Sequence, residues 1–161
     1  MKLALAFAIT LFTPFSLRAQ ELGIPVGSAA PGAVVESLDG KPVDLARWVG
    51  KTPVLIEFWA TWCPQCKALE PAMVAAQKKY GGRVKFLAVA VSVNQSPALV
   101  GRYAKKHAIP AEILFDRMGA ATDAYDVPAT SYVVVLDRAG KVVYTGQGGE
   151  QDLEAAIRKA L

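Results

Sequence analysis

The chain has 161 residues, enough for one domain with a real hydrophobic core. With 53% hydrophobic and 20% charged residues it is globular rather than disordered. A formal net charge of +4, with no run of five Lys or Arg, gives no footing to nucleic-acid binding.

The N-terminus reads as a secretory signal. Lys2 is followed by an apolar stretch over residues 3–17, broken by Pro14, and cleavage is expected after Ala19. The stretch is shorter than the roughly 20 residues of a membrane helix; an uncleaved anchor is the alternative. Without residues 1–19 the charge falls to +2, from 16 basic and 14 acidic residues. Export is therefore expected, to the periplasm or another extracytoplasmic space.

Residues 20–32, rich in Gly, Pro and Ala, read as a linker or an extended lead-in, and the domain as 33–161. Val34–Leu38 with Asp39-Gly40 looks like half of a small hairpin. Val43–Trp48 reads as a short helical turn, and the apolar run Val54–Ala60 as a buried strand. Pro64 then suits the first turn of a helix running to Tyr80 and stopping at Gly81-Gly82, with a kink expected at Pro71.

Val84–Val93 is a second buried strand. Ser96-Pro97 caps and starts a helix to about His107. Ile113–Phe115 is a short strand, Ala120–Tyr125 a helical turn, Tyr132–Leu136 and Val142–Thr145 an antiparallel hairpin, and Asp152–Leu161 a closing helix. The order predicts an α/β fold: a parallel sheet with an antiparallel edge and helices on both faces.

The only two cysteines are Cys63 and Cys66, at the junction of the first buried strand and its helix. At a helix N-terminus the dipole and free N–H groups favour thiolate at the first sulfur. The second lies three residues on, within bonding reach. A disulfide this local closes almost no loop and adds little stability. In an oxidising compartment such a pair is expected to serve exchange rather than stapling.

These residues resemble the thioredoxin fold, and more narrowly the TlpA/ResA-like exported thiol–disulfide oxidoreductases. The resemblance runs from about Gly27 to Leu161 and rests on Phe58-Trp59-Ala60-Thr61-Trp62-Cys63, Leu38-Asp39-Gly40-Lys41, Pro71, Phe115-Asp116 and Leu136-Asp137 with Gly140-Lys141. It implies a mixed central sheet with helices on both faces and an extra N-terminal hairpin. The segment 84–107 is similar to the inserted strand–helix element that separates this branch from minimal thioredoxins. Two departures stand out. The family's Glu three residues after the second cysteine is Leu69 here, with Glu70 one later and expected on another side of the helix. The usual cis-proline position falls on Ser131, read as a Thr130-Ser131 replacement; a slipped loop carrying Pro128 is the alternative.

The resemblance implies Cys63 as nucleophile and Cys66 as the more buried resolving thiol. Glu57, the one charge in its strand, corresponds to the acid that lies under the dithiol of thioredoxins and moves the resolving thiol's proton. An acid paired at a sheet edge is its bland alternative. Trp62 is expected to form an apolar rim for docking partners, and Trp59 to be core. Pro64 and Gln65 set the helix start. Thr130 and Ser131 are expected to offer backbone groups to an incoming substrate strand. His107 is expected to be a solvated charge at a helix end, and Lys67 part of a wet face.

No cofactor or resident metal is expected, since His107 alone could join the two thiols and zinc needs four ligands. Expected partners are protein thiols and disulfides, with a membrane electron donor if the direction is reductive, as in cytochrome c maturation or copper-site assembly. Two other functions compete. A peroxiredoxin-like peroxidase needs Thr three residues before the reactive cysteine, where this chain has Ala60. A copper-delivery module would space its cysteines four apart and add a distal His.

Overall fold

The computed structural model describes residues 23–161; the expected signal segment 1–19 lies outside them. Residues 23–32 run along the domain as a lead-in rather than away from it as a linker. Ile24 is buried and its N–H donates to the Tyr125 carbonyl at 3.1 Å. The N–H groups of Gly27 and Ala30 donate to the carbonyls of Val142 and Gly140, each at 2.8 Å.

A hairpin follows, β1 (Val34–Ser37) and β2 (Pro42–Asp44), turning at Asp39-Gly40. Asp44 then caps a 3-10 turn, Leu45–Arg47, by accepting the Ala46 N–H at 2.9 Å. The apolar run forms β3 (Val54–Trp59). Helix α1 (Pro64–Tyr80) starts with Pro64 at its first position and runs unbroken through Pro71. Then come β4 (Lys85–Val91), α2 (Pro97–His107), β5 (Glu112–Asp116) and α3 (Ala120–Ala124). Ser96 caps α2 by accepting the Leu99 N–H at 3.3 Å. The chain ends with β6 (Tyr132–Leu136), β7 (Val142–Gln147) and α4 (Leu153–Arg158).

The seven strands among the described residues join one sheet in the order β2-β1-β5-β4-β3-β6-β7. The centre, β5-β4-β3, is parallel, because the long crossovers through α1 and α2 return the chain in the same direction. Both flanks are antiparallel, one built by β6 and β7 and the other by the N-terminal hairpin. The sheet therefore has two antiparallel edges where the element order predicted one. Within the segment 84–107, β4 is paired along β3 on one side and β5 on the other.

Period-two alternation divides β3 between two cores. Val54, Ile56 and Phe58 face a cluster containing Ile24, Val35, Leu45, Ala121, Tyr125 and Tyr132. Leu55 faces the opposite cluster, where Leu69, Met73 and Ala76 of α1 meet Leu153, Ala156 and Ile157 of α4. Thus α1 and α4 cover one face, and α3 with the N-terminal segments covers the other. Trp59 shares a third cluster with Cys63, Cys66, Val100 of α2 and Phe115 of β5. By the same alternation Glu57 points to the face that α1 covers, between Leu55 and Trp59, in a strand where all six residues are buried.

Candidate active site

The chain leaves β3 through a tight turn in which the Cys63 N–H donates to the Ala60 carbonyl at 3.1 Å. Cys63 is the N-cap of α1, in extended conformation, and its Sγ accepts the Cys66 N–H at 3.0 Å. The two sulfurs are bonded, with the Cα atoms 5.3 Å apart. Both cysteines are almost wholly buried, 4% and 5% exposed, so burial does not distinguish them as the sequence suggested. What does is the space each one lines. Cys63 borders an outer groove with Thr61, Trp62, Pro64, Lys67, Tyr103 and His107. Cys66 borders an inner cavity of about 20 Å³ together with Glu57, Trp59, Glu70, Met73 and His107.

Glu57 is 6% exposed and belongs to no salt bridge among the described residues. The sheet-edge ion pair is thereby set aside, since β3 has a strand on each side. Burial pushes its carboxyl up from 4.5 to about 8, and the nearby Glu70 charge adds to the rise.

Glu70 occupies a place that sequence reasoning missed. It lies one turn after Cys66, so both residues meet the same cavity, contrary to the expectation that Glu70 faces elsewhere. Two groups from α2 hold it: Tyr103 Oη donates to its Oε1 at 3.0 Å, and His107 Nδ1 lies 3.1 Å from its Oε2. The Tyr103 hydroxyl is pushed up to about 12, first by burial and then by its bond to Glu70. The His107 ring stacks on Tyr103, with centroids 3.9 Å apart and planes 4° from parallel. His107 is thus not the solvated helix-end charge the sequence suggested. The signal for this was the i, i+4 spacing of Tyr103 and His107 on α2, matched by that of Cys66 and Glu70 on α1.

Trp62 is half exposed, and its Nε1 donates to the Val93 carbonyl at 2.8 Å, which fixes the ring beside Cys63. Thr61 is pinned by Gln95, whose Oε1 accepts its N–H at 2.9 Å. Trp59 is core, as expected, with its Nε1 buried and without a hydrogen-bond partner among the described residues. Gln65, in the first turn of α1, accepts the Gly149 N–H at 2.9 Å and so ties the loop after β7 to the dithiol.

Ser131 immediately precedes β6, and extending the Phe58–Tyr132 register places it across from Trp59. Every peptide bond among the described residues is trans, and Ser131 adopts φ +60°. Pro128 lies exposed, three residues earlier. A serine in a trans peptide, not a proline, thus stands directly before β6. Ser131 is fully buried, however, and its backbone carbonyl is already occupied. It accepts from Gly148 N–H at 2.9 Å and from Gln151 Nε2 at 3.2 Å, while its own hydroxyl donates to the Gly148 carbonyl at 3.0 Å. Thr130, beside it, is half-buried.

A dithiol on the first turn of the helix after a central strand, above a buried acid, in a mixed sheet covered on both faces, defines a thioredoxin-fold protein of thiol–disulfide exchange. The redoxin family model matches residues 25–161, and the chain belongs to that family. It is 32% identical to the thioredoxin-like protein YneN of Bacillus subtilis strain 168, over 86% of this chain and 82% of that protein. It is 29% identical to the thiol-disulfide oxidoreductase ResA of Geobacillus kaustophilus, over 92% of this chain and 84% of that one. Among solved structures it is similar to a putative thiol:disulfide interchange protein DsbE from Chlorobium tepidum. There the TM-score is 0.72 at 27% identity, covering 85% of this chain and 98% of the other. The protein is a thiol–disulfide oxidoreductase.

Proposed function

We propose that Cys63 attacks protein disulfides, that Cys66 resolves the mixed disulfide, and that Glu57 receives the Cys66 proton. The single observation that carries this division of labour is that Cys63 borders the outer groove and Cys66 the inner cavity with Glu57. The chemistry balances. A Cys63 thiolate attacks one sulfur of the substrate disulfide, and the other sulfur leaves with the electron pair. Cys66 gives its proton to the Glu57 carboxylate, and the resulting thiolate attacks Cys63 Sγ. The Cys63–Cys66 bond forms as the bond to the substrate breaks, so two electrons pass to the substrate.

Trp62 and Pro64 serve as the apolar rim on which a partner docks, and Lys67 borders the same groove. The Thr130 backbone is the remaining candidate for pairing with a substrate strand, because the Ser131 carbonyl is engaged internally. The resemblance to TlpA/ResA-like proteins implies a reductive direction in an exported protein, with residues 1–19 removed as a signal. Cytochrome c maturation or copper-site assembly is then the setting, and a membrane protein the electron donor. No helix among the described residues is long and apolar enough to cross a membrane.

Two measurements test the proposal. With insulin as disulfide substrate, Cys66→Ser should trap a mixed disulfide through Cys63, and Cys63→Ser should trap none; the reverse pattern overturns the assignment. The Cys63–Cys66 reduction potential tests direction. A value near the thioredoxin range of about −270 mV supports a reductant, and one near about −120 mV overturns it in favour of an oxidant.

A further inference from the structure

Glu57 can take the Cys66 proton only when its carboxyl is free of one, so any proton it holds must leave the inner cavity before Cys66 resolves the mixed disulfide. We propose that Glu70 and His107 are that proton's exit, an inner carboxylate and an outer imidazole that connect Glu57 to solvent beside Cys63. This rests on the reading of Glu57 as the proton acceptor.

Four observations converge. Glu57, Cys66, Glu70 and His107 all line the same cavity, whose volume of about 20 Å³ has room for roughly one water. The indole N–H of Trp59, another lining residue, is buried and lacks a partner among the described residues, so it can donate to such a water. Glu70 is not free to turn outward, because Tyr103 Oη and His107 Nδ1 hold its two oxygens at 3.0 and 3.1 Å. His107 lines the outer groove as well as the inner cavity, so one ring spans both.

The alternative is that Glu70, Tyr103 and His107 merely clamp α2 to α1. Tyr103 is sufficient for that: it bonds Glu70 and its ring lies 5.7 Å from that of Trp59. His107 adds a group with two nitrogens, one facing the carboxylate. In the proposed route the proton passes from the Glu57 carboxyl through the cavity to Glu70. His107, starting with its proton on Nε2, accepts it at Nδ1 and releases one from Nε2 to water. Both carboxylates return to their starting state, the ring regains its first tautomer by exchanging protons with water, and no electron moves in this step.

The test separates the two thiol steps, using glutathione disulfide as oxidant and stopped-flow detection. In His107→Ala and Glu70→Gln, attack by Cys63 should stay within about two-fold of wild type. Formation of the Cys63–Cys66 bond should slow at least ten-fold, in keeping with the usual size of acid–base contributions. Added imidazole should restore His107→Ala and leave Glu70→Gln slow, and matching thermal melts should show that both variants fold. Resolution at the wild-type rate in His107→Ala, or slowing that imidazole does not relieve, overturns the exit. Glu57→Gln reports separately. If it resolves normally, the Glu57 reading fails; if it is slow while His107→Ala is normal, only the exit fails.

Discussion

The Cys66 backbone N–H donates to Cys63 Sγ at 3.0 Å, so the helix that carries both sulfurs also points a donor at the first one. In the reduced protein the same N–H and the helix dipole face a developing thiolate. Iodoacetamide at neutral pH should therefore alkylate Cys63 at least ten times faster than Cys66, as read by peptide mapping. Equal rates would remove the basis for calling Cys63 the attacking sulfur.

The Glu57 carboxyl, raised from 4.5 to about 8 by burial and by Glu70, makes stability depend on pH. The folded state holds this proton where the unfolded chain has released it. Stability from this group is thus complete below about pH 4.5 and falls as pH rises toward about 8, with a slope near 1.4 kcal/mol per pH unit, flattening above it. Glu57→Gln should abolish this slope and be the more stable protein at pH 9, as measured by urea unfolding across pH. A slope that survives the substitution would mean that another group titrates.

Gly149 packs where no side chain fits. A Cβ there would lie 2.6 Å from Ala68 Cβ and 3.0 Å from the Gln65 carbonyl. Gly149→Ala should force the loop off α1 at a cost of about 1–3 kcal/mol. Gln65→Ala, which removes only the 2.9 Å bond to the Gly149 N–H, should cost about 0.5–1.5 kcal/mol. Thermal unfolding ranks the two.

Asp116 ends β5 almost fully buried and caps α3. Its oxygens accept from the N–H of Thr122 at 2.8 Å, the Thr122 hydroxyl at 2.5 Å and the N–H of Ala121 at 3.3 Å. Asp116→Ala strands these donors and should destabilise the fold by about 1–3 kcal/mol while leaving the rate of insulin reduction unchanged below the melting transition.

Trp62→Ala should raise KM for insulin several-fold and leave the reaction with glutathione disulfide unaltered. The exposed ring offers area to a polypeptide that a small disulfide does not use. An equal loss toward both substrates would assign the ring to positioning Cys63 instead.

Much of this architecture is local in origin and so was legible in the sequence. The continuous apolar run at Val54–Trp59 marks a central strand, Pro64 marks a helix start, and Ser96-Pro97 fixes the start of α2 through a cap. The dithiol at the strand-to-helix junction follows from the first two. What escaped depends on contacts between distant elements. The approach of α2 to α1 turns His107 from a helix-end cation into a stacked partner of Glu70, 37 residues away in sequence. The engagement of the Ser131 carbonyl likewise comes from Gly148 and Gln151, beyond the hairpin turn. The second antiparallel flank arises because β1 meets β5 rather than a neighbour in sequence.

Because Cys63 and Cys66 are three residues apart within one helical start, breaking their bond barely alters the entropy of the unfolded chain. The unfolded chain thus contributes little to the potential, which is set by how unequally the fold stabilises the dithiol and the disulfide. A lineage could repack the distant layer between α1 and α4, gaining or losing heat tolerance, without retuning the electron-transfer energy. Conversely, a change beside the two sulfurs could shift that energy while that layer keeps its packing.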